Sequence, residues 1–174
     1  NLVLSKSYNK QENLIWCGRQ VKNRVCEIGF NAGHSAMLLS LSNNNVDFTI
    51  FDVGRHAYTK PCMDYIKNHF SNINYEYVEG RSYDTMPKWI EDNKELKGSF
   101  DVIHIDGGHS KKCIFNDMIN ADILVKINGL LIIDDSGLSV INDEIVNFLL
   151  SGNYKEVDIL ETKNSKHKVI RKIK

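Results

Sequence analysis

Neither sign of charge is in excess in this sequence: 22 Lys and Arg stand against 22 Asp and Glu in 174 residues. A chain that grips nucleic acid through many phosphates usually carries a basic surplus, so the balance counts against that class. Cysteine is sparse as well. Cys17, Cys26, Cys62 and Cys113 include no CxxC spacing, which argues against a disulfide framework and against a zinc site. Cys26 lies in an apolar run and reads as a small buried side chain. No apolar stretch is long enough to span a bilayer, and the polar N-terminal residues lack the apolar core of a secretory leader. The sequence shows no internal repeat, low-complexity tract or linker. The expectation is a cytoplasmic chain, in a reducing compartment, with neither a membrane nor a nucleic-acid partner. It opens on Asn rather than Met, which is compatible with a piece of a longer chain.

What is present is an ordinary globular composition, 42% hydrophobic and 25% charged, of a size that suits one domain over 1–174. Apolar runs alternate with helix-like segments. The runs are Val25–Phe30, Phe48–Val53, Tyr75–Val78, Phe100–Ile105 and Leu130–Ile133. Between and after them Ala36–Leu41, His56–Phe70, Met86–Leu96, Ile114–Val125 and Ile141–Leu150 have helical spacing, with Tyr58, Met63, Ile66 and Phe70 predicted on one side of the second and Pro61 in its first turn. Tyr154–Leu160 and Lys168–Ile173 read as two closing strands. Alternation of this kind predicts a mostly parallel sheet with helices on both faces, and the closing pair predicts one antiparallel strand near an edge. Residues 1–22, with Leu14, Ile15 and Trp16, form a candidate capping segment.

Each of the first five runs ends in a polar or glycine cluster. In open α/β sheets ligands bind in the crevice outside the carboxyl ends of the strands, so five clusters converge on one rim. The first is Glu27-Ile28-Gly29-Phe30-Asn31-Ala32-Gly33-His34-Ser35, a glycine turn feeding a helix whose free N–H groups face the crevice; a tight turn with no ligand is the alternative. Asp52 ends the second run, about 20 residues past Gly33, where an acid accepts hydrogen bonds from ribose hydroxyls; a solvated turn Asp before Gly54 is the alternative. Glu79-Gly80-Arg81-Ser82-Tyr83 is either an adenine-side turn or an ordinary one. Asp106 ends the fourth run, and Asp134 with Asp135 the fifth. Three carboxylates on neighbouring strand ends raise one another's pKa or demand a cation, and hard oxygen donors suit Mg²⁺, Ca²⁺ or Mn²⁺. Alternatively, one Asp caps a helix and another faces solvent. His109, three residues past Asp106, is a candidate base. His104, inside a strand, reads as a core or rim histidine and His34 as a helix-start residue, while His56 and Tyr58 reach the ligand or merely enter a helix.

Taken in order, Cys26 to Ser35, Phe51-Asp52, Glu79 to Ser82, Asp101 to Ser110 and Gly129 to Asp135 resemble the motifs of class I S-adenosylmethionine-dependent methyltransferases. Within them the chain is similar to the metal-dependent small-molecule O-methyltransferases related to the catechol and caffeoyl-CoA enzymes and to macrolide and aminocoumarin sugar methyltransferases. The likeness runs from about Val25 to about Leu150. It implies an α/β, Rossmann-like three-layer sandwich with a seven-stranded, mostly parallel sheet of order 3-2-1-4-5-7-6 and strand 7 antiparallel. It implies that Glu27, Gly29, Phe30, Asn31, Gly33, Ser35, Asp52, Val53, Gly80, Arg81, Ser82, Asp106 and His109 form the S-adenosylmethionine site. It implies a divalent cation, usually Mg²⁺, on Asp106, Asp134 and Asp135, with His109 and Asp106 catalytic. The implied acceptor is a small-molecule hydroxyl, including that of a sugar or nucleotide sugar, and relatives often form homodimers. Asn31 departs from the commonest middle glycine, and Arg81 stands where an acidic or small residue often touches adenine. The N-terminal region is shorter than the roof that relatives place over their substrate.

Three other functions fit parts of the pattern. A nicotinamide-dependent oxidoreductase normally shows G-x-G-x-x-G, whereas this chain reads Gly29-Phe30-Asn31-Ala32-Gly33. An RNA methyltransferase keeps the fold but not the charge balance. A non-catalytic module of a larger protein has no use for Asp106, His109, Asp134 and Asp135 together.

Overall fold

The structure, a computed structural model, describes residues 2–43, 45–157 and 166–174. The elements are α1 (Leu2–Gly18), β1 (Arg24–Ile28), α2 (His34–Ser42), β2 (Asp47–Asp52), α3 (Thr59–His69), β3 (Asn74–Glu79), α4 (Ser82–Asp92), β4 (Phe100–Ile105), α5 (Lys111–Leu124), β5 (Val125–Ile133), α6 (Ser139–Leu150), β6 (Tyr154–Glu156) and β7 (Lys168–Lys172). The seven strands form one sheet of order β3-β2-β1-β4-β5-β7-β6. β3, β2, β1, β4 and β5 pair in parallel, and β7 runs antiparallel to both β5 and β6. This is the strand order and the Rossmann-like fold that the resemblance implied.

The period of two along each strand sorts the layers. Cys26, Ile28, Ile103, Ile105, Leu131 and Ile133 pack with Met86 and Trp89 of α4, Met118 of α5 and Ile145 of α6. Val25, Val102, Leu130 and Ile132, on the opposite face, pack with Leu14 and Cys17 of α1, Leu39 of α2 and Ile66 of α3. The result is helices, sheet, helices. β4 is buried along its whole length, which is why it reads as an unbroken apolar run rather than an alternating one. Residues 27, 104, 106 and 134 have the parity of the face covered by α1, so their polar side chains lie where that face would otherwise be apolar.

Several element ends differ from the sequence reading. α5 stops at Leu124 and β5 begins at Val125, so Val125 is strand rather than helix. Tyr58 precedes α3 and is exposed; of the residues predicted on one side of that helix only Met63 and Ile66 are fully buried, with Phe70 partly so. The α4 helix ends at Asp92, and Lys94–Leu96 forms a separate 3₁₀ turn. β6 spans Tyr154–Glu156, with Val157 continuing its ladder onto Val169; Asp158, Ile159 and Leu160 lie outside the described residues.

One buried carboxylate ties the chain's start to the sheet. Asp101 Oδ2 accepts the backbone N–H groups of Lys22, Asn23 and Arg24 at 3.0, 2.7 and 3.0 Å, and Oδ1 receives Lys126 Nζ. Burial opposes its charge, but Lys126 and these N–H groups hold its pKa below the usual value. Asp101→Ala strands these donors and is expected to cost about 2–4 kcal/mol in urea unfolding at pH 7. Because the folded pKa is depressed, the stabilisation is present above about pH 4 and fades below it. Wild type and variant should therefore converge in acid; a gap that is constant with pH would contradict this role.

Candidate active site at the sheet rim

The ladder continues one residue past each strand end. Gly80 N donates to Asp52 O, Gly29 N to Phe51 O, Asp106 N to Ile28 O and Asp134 N to Ile105 O, all at 2.8–2.9 Å. The ends of five parallel strands are thereby held at one level. The first turn lies close against β4: a Cβ on Gly29, whose φ is +93°, would sit 2.0 Å from the Asp106 carbonyl oxygen, so only glycine fits there. Asn31 is left-handed at φ 52°, which Asn tolerates better than most residues.

Asp52 holds this turn. Its Oδ2 accepts Phe30 N at 2.8 Å and Asn31 N at 2.9 Å, and its Oδ1 accepts Gly54 N at 2.7 Å. The carboxylate predicted to face a ribose is thus first of all a clamp on the glycine turn, with part of its acceptor capacity left over. Below the turn, Glu27 Oε1 meets His104 Nδ1 at 2.9 Å and receives the Ser35 hydroxyl. Both Glu27 and His104 are fully buried. Burial opposes a charge on His104, but Glu27 outweighs it and raises its pKa.

A cleft of about 670 Å³ opens at the rim, lined by Gly29, Asn31, Asp52, Val53, Gly80, Arg81, Ser82 and Asp106 among the predicted residues. His109 is not on its wall, and neither are Glu27, Phe30, Gly33 and Ser35. The Phe30 ring turns into the core behind it, close enough that a Cβ on Gly33 would meet it at 2.5 Å. These four shape the turn from behind. His56, Tyr83, Gly107 and Gly108, which the sequence placed near the ligand or within its motifs, also line the cleft, as do Arg55 and Cys113, to which the sequence reading assigns no role. His56 stacks on Tyr58 at 4.8 Å between ring centroids, and Tyr58 donates to Asn31 Oδ1 at 2.7 Å, so this pair braces the turn from the solvent side. His34 stands exposed as the first residue of α2.

The three aspartates do not meet as one trio. A His104 ring nitrogen, an Asp106 oxygen and an Asp134 oxygen lie within 4.8 Å of one another; so do ligand atoms of Asp106, His109 and Asp135. Asp106 belongs to both groups. Asp134 points to the α1 side, where its side chain is only 8% exposed. Asp135, in a left-handed turn at φ 49°, carries its carboxylate out to His109 Nε2 at 3.0 Å. The split follows from consecutive residues leaving a strand end in different directions.

A cation that the sequence reading did not name enters here. Lys10 Nζ donates to Asp134 Oδ2 and lies 3.9 Å from Asp106 Oδ2. Burial pushes Asp106 up to about 7, and the neighbouring Asp134 charge adds to this. For Asp134 burial works in the same direction, but Lys10 more than offsets it and holds the group below the usual carboxylate value.

Residues 26–136 match the family model described as a methyltransferase domain. The chain belongs to this methyltransferase family. Its methyl donor is accordingly S-adenosylmethionine. Among solved structures, the apo structure of CalS11, described as a TDP-rhamnose 3'-O-methyltransferase of calicheamicin biosynthesis, superposes with a TM-score of 0.74 at 11% identity, over 93% of this chain and 76% of that one. A second CalS11 structure, described as a calicheamicin methyltransferase, gives 0.73 at 12%, over 93% and 77%. No curated protein sequence matches the chain. No helix among the described residues is long and apolar enough to cross a membrane.

The methyltransferase cleft has a buried acid directly behind it. Asp117 of α5 is fully buried, and its Oδ2 would lie 2.8 Å from a Cβ on Gly107. Neither of its oxygens makes a well-formed hydrogen bond. Burial pushes it up to about 6, against a weaker pull from the Ser82 hydroxyl. The raised pKa favours the folded state fully below about pH 4, and this contribution is lost as pH rises through about 6. Asp117→Asn should therefore gain on wild type by about 2–3 kcal/mol between pH 4 and pH 7 in denaturant titrations. A difference that does not change with pH would mean that Asp117 is already relieved by a partner.

Proposed function

We propose that the chain transfers the methyl group of S-adenosylmethionine to a hydroxyl oxygen of a small molecule of the sugar or nucleotide-sugar class, with a divalent cation assisting. The observation that carries this reading is the position of Asp106: it lines the cofactor cleft and belongs to both acid groups beside it. A methyl donor in the cleft and an acceptor hydroxyl at the acids therefore share one boundary residue. The sugar class draws support from the fold neighbour described as a TDP-rhamnose 3'-O-methyltransferase. The neutral overall charge and the clustered acids disfavour a polyphosphate backbone such as RNA.

The residues divide into three tasks. Gly29 and Asn31 bring backbone close to the cofactor, Asp52 offers its remaining lone pairs to the ribose, and Val53 with Gly80, Arg81 and Ser82 borders the adenine. Glu27, Phe30, Gly33 and Ser35 keep the turn in shape from behind. Asp106, Asp134 and Asp135 are oxygen donors of the kind that a hard cation such as Mg²⁺ prefers. When bound, the sulfonium supplies an electrophilic methyl group and the cation lowers the pKa of a coordinated hydroxyl. His109 is the base. With its Nε2–H directed to Asp135, the lone pair rests on Nδ1, ready to take the hydroxyl proton. Fixing the two reactants in one crevice replaces a chance encounter with set geometry.

Three measurements test the assignment. Asp52→Ala is expected to weaken calorimetric S-adenosylhomocysteine binding by at least about tenfold, since both a ribose acceptor and the clamp on Phe30 and Asn31 are lost. Unchanged affinity would move the ribose elsewhere. His109→Gln is expected to lower kcat by about 10²–10⁴ while leaving S-adenosylhomocysteine affinity intact, and excess chelator should suppress turnover of wild type. Full turnover in chelator would remove the cation from the reaction, and an unimpaired His109→Gln enzyme would remove the base.

A further inference from the structure

Lys10 occupies a position in α1 where an apolar residue is expected. Asn13, Leu14 and Cys17, three, four and seven residues further on, form the buried stripe of that helix at 0%, 2% and 0% exposure. Asn13 Nδ2 meets His167 Nε2 at 2.9 Å, so this part of α1 is seated firmly on the sheet face. Lys10 continues the stripe and delivers its ammonium to the Asp106–Asp134 pair. From beneath, a nitrogen of the His104 ring falls within 4.8 Å of oxygens of the same two acids. His104 is completely buried, and its Nε2 has no hydrogen-bond partner among the described residues. A buried ring nitrogen without a partner is costly in a purely structural ion pair. In its neutral form the imidazole, beside two carboxylates, is one further donor for a cation. The ammonium lies against the two carboxylates of that set.

We propose that Lys10 is a displaceable resident cation: its ammonium holds the place between Asp106 and Asp134 while the crevice is free of metal, and a divalent ion completes its set of carboxylates by expelling it. The inference rests on the reading of these acids as a cation site. A four-carbon stem lets the ammonium swing away while α1 stays seated, so the exchange needs no helix motion. It also explains how an acid pair so close together is tolerated before a metal arrives, since an uncompensated second carboxylate there would be strongly disfavoured. Metal affinity in this chain is then a competition, and it is weaker than the donor set alone would give.

The test uses the full chain as wild type, Lys10→Met and Lys10→Arg. Mn²⁺ binding is followed by electron paramagnetic resonance, with S-adenosylhomocysteine calorimetry run in parallel. Lys10→Met is expected to bind Mn²⁺ at least about tenfold more tightly than wild type, and Lys10→Arg no more tightly than wild type. In wild type alone, mass-spectrometric amine labelling should find Lys10 slow to react without metal and at least severalfold faster in saturating Mg²⁺, with the other lysines unchanged. This arm decides the question even if Lys10→Met fails to fold. Equal Mn²⁺ affinity in wild type and Lys10→Met, or labelling of Lys10 that ignores Mg²⁺, overturns the proposal while leaving the cation site standing. Absence of Mn²⁺ binding in all three proteins overturns the cation reading and this inference with it, and the calorimetry then shows whether the cofactor cleft survives.

Discussion

Four backbone hydrogen bonds, each made one residue beyond a strand end, hold the rim of this sheet at a single level. They run from Gly80 to Asp52, Gly29 to Phe51, Asp106 to Ile28 and Asp134 to Ile105. Everything functional depends on that level. Because the β1 and β4 ends are locked together, the glycine turn is pressed against the Asp106 backbone, and only a residue without Cβ can occupy position 29. Because β4 and β5 end together, Asp106 and Asp134 come side by side. The cleft and the acid cluster are thus two consequences of one register.

The second organising feature is electrostatic. The sheet face under α1 is apolar through Val25, Val102, Leu130 and Ile132, yet the same parity carries Glu27, His104, Asp106 and Asp134. Polar groups on a buried face need partners, and the structure supplies most of them in sequence. Ser35 and His104 share Glu27 Oε1, Lys10 compensates Asp134, and His109 Nε2 meets Asp135, while Glu27 Oε2 and His104 Nε2 have no hydrogen-bond partner among the described residues. Charge is stacked from the interior outward to the crevice. A site of this kind raises some pKa values and lowers others over a few ångströms, as Asp106 and Asp134 do.

Much of this was legible in the residues. Continuous apolar runs such as Phe100–Ile105 identify strands buried on both faces, and the cluster after each run locates the crevice, because both follow from local chemistry. Element ends were harder. Val125 is apolar in either state, so periodicity cannot say that it leaves α5 and begins β5. Tyr58 has the spacing of a buried helical residue, but its hydroxyl finds Asn31 and the ring stays outside. The division of Asp134 from Asp135 depends on a left-handed backbone at Asp135 that no spacing announces. Lys10 lies 96 and 124 residues from the two acids it meets, a separation over which a single sequence carries no pairing signal. Its trace was a lysine in register with Asn13, Leu14 and Cys17, visible only once that stripe is known to be buried. The Asp52 clamp was hidden for another reason: an acid that binds a ligand and an acid that binds its own backbone look alike in sequence.

The proposed function requires that the rim cleft hold the cofactor with its reactive end toward the acids. A crystal structure of the chain with S-adenosylhomocysteine and Mg²⁺ measures this directly. The expected result is adenosine between the Gly29 turn, Asp52 and Gly80–Ser82, its sulfur on the Asp106 side of the cleft, and metal density against the aspartates. Adenosine bound elsewhere, or a sulfur directed away from Asp106, would contradict it.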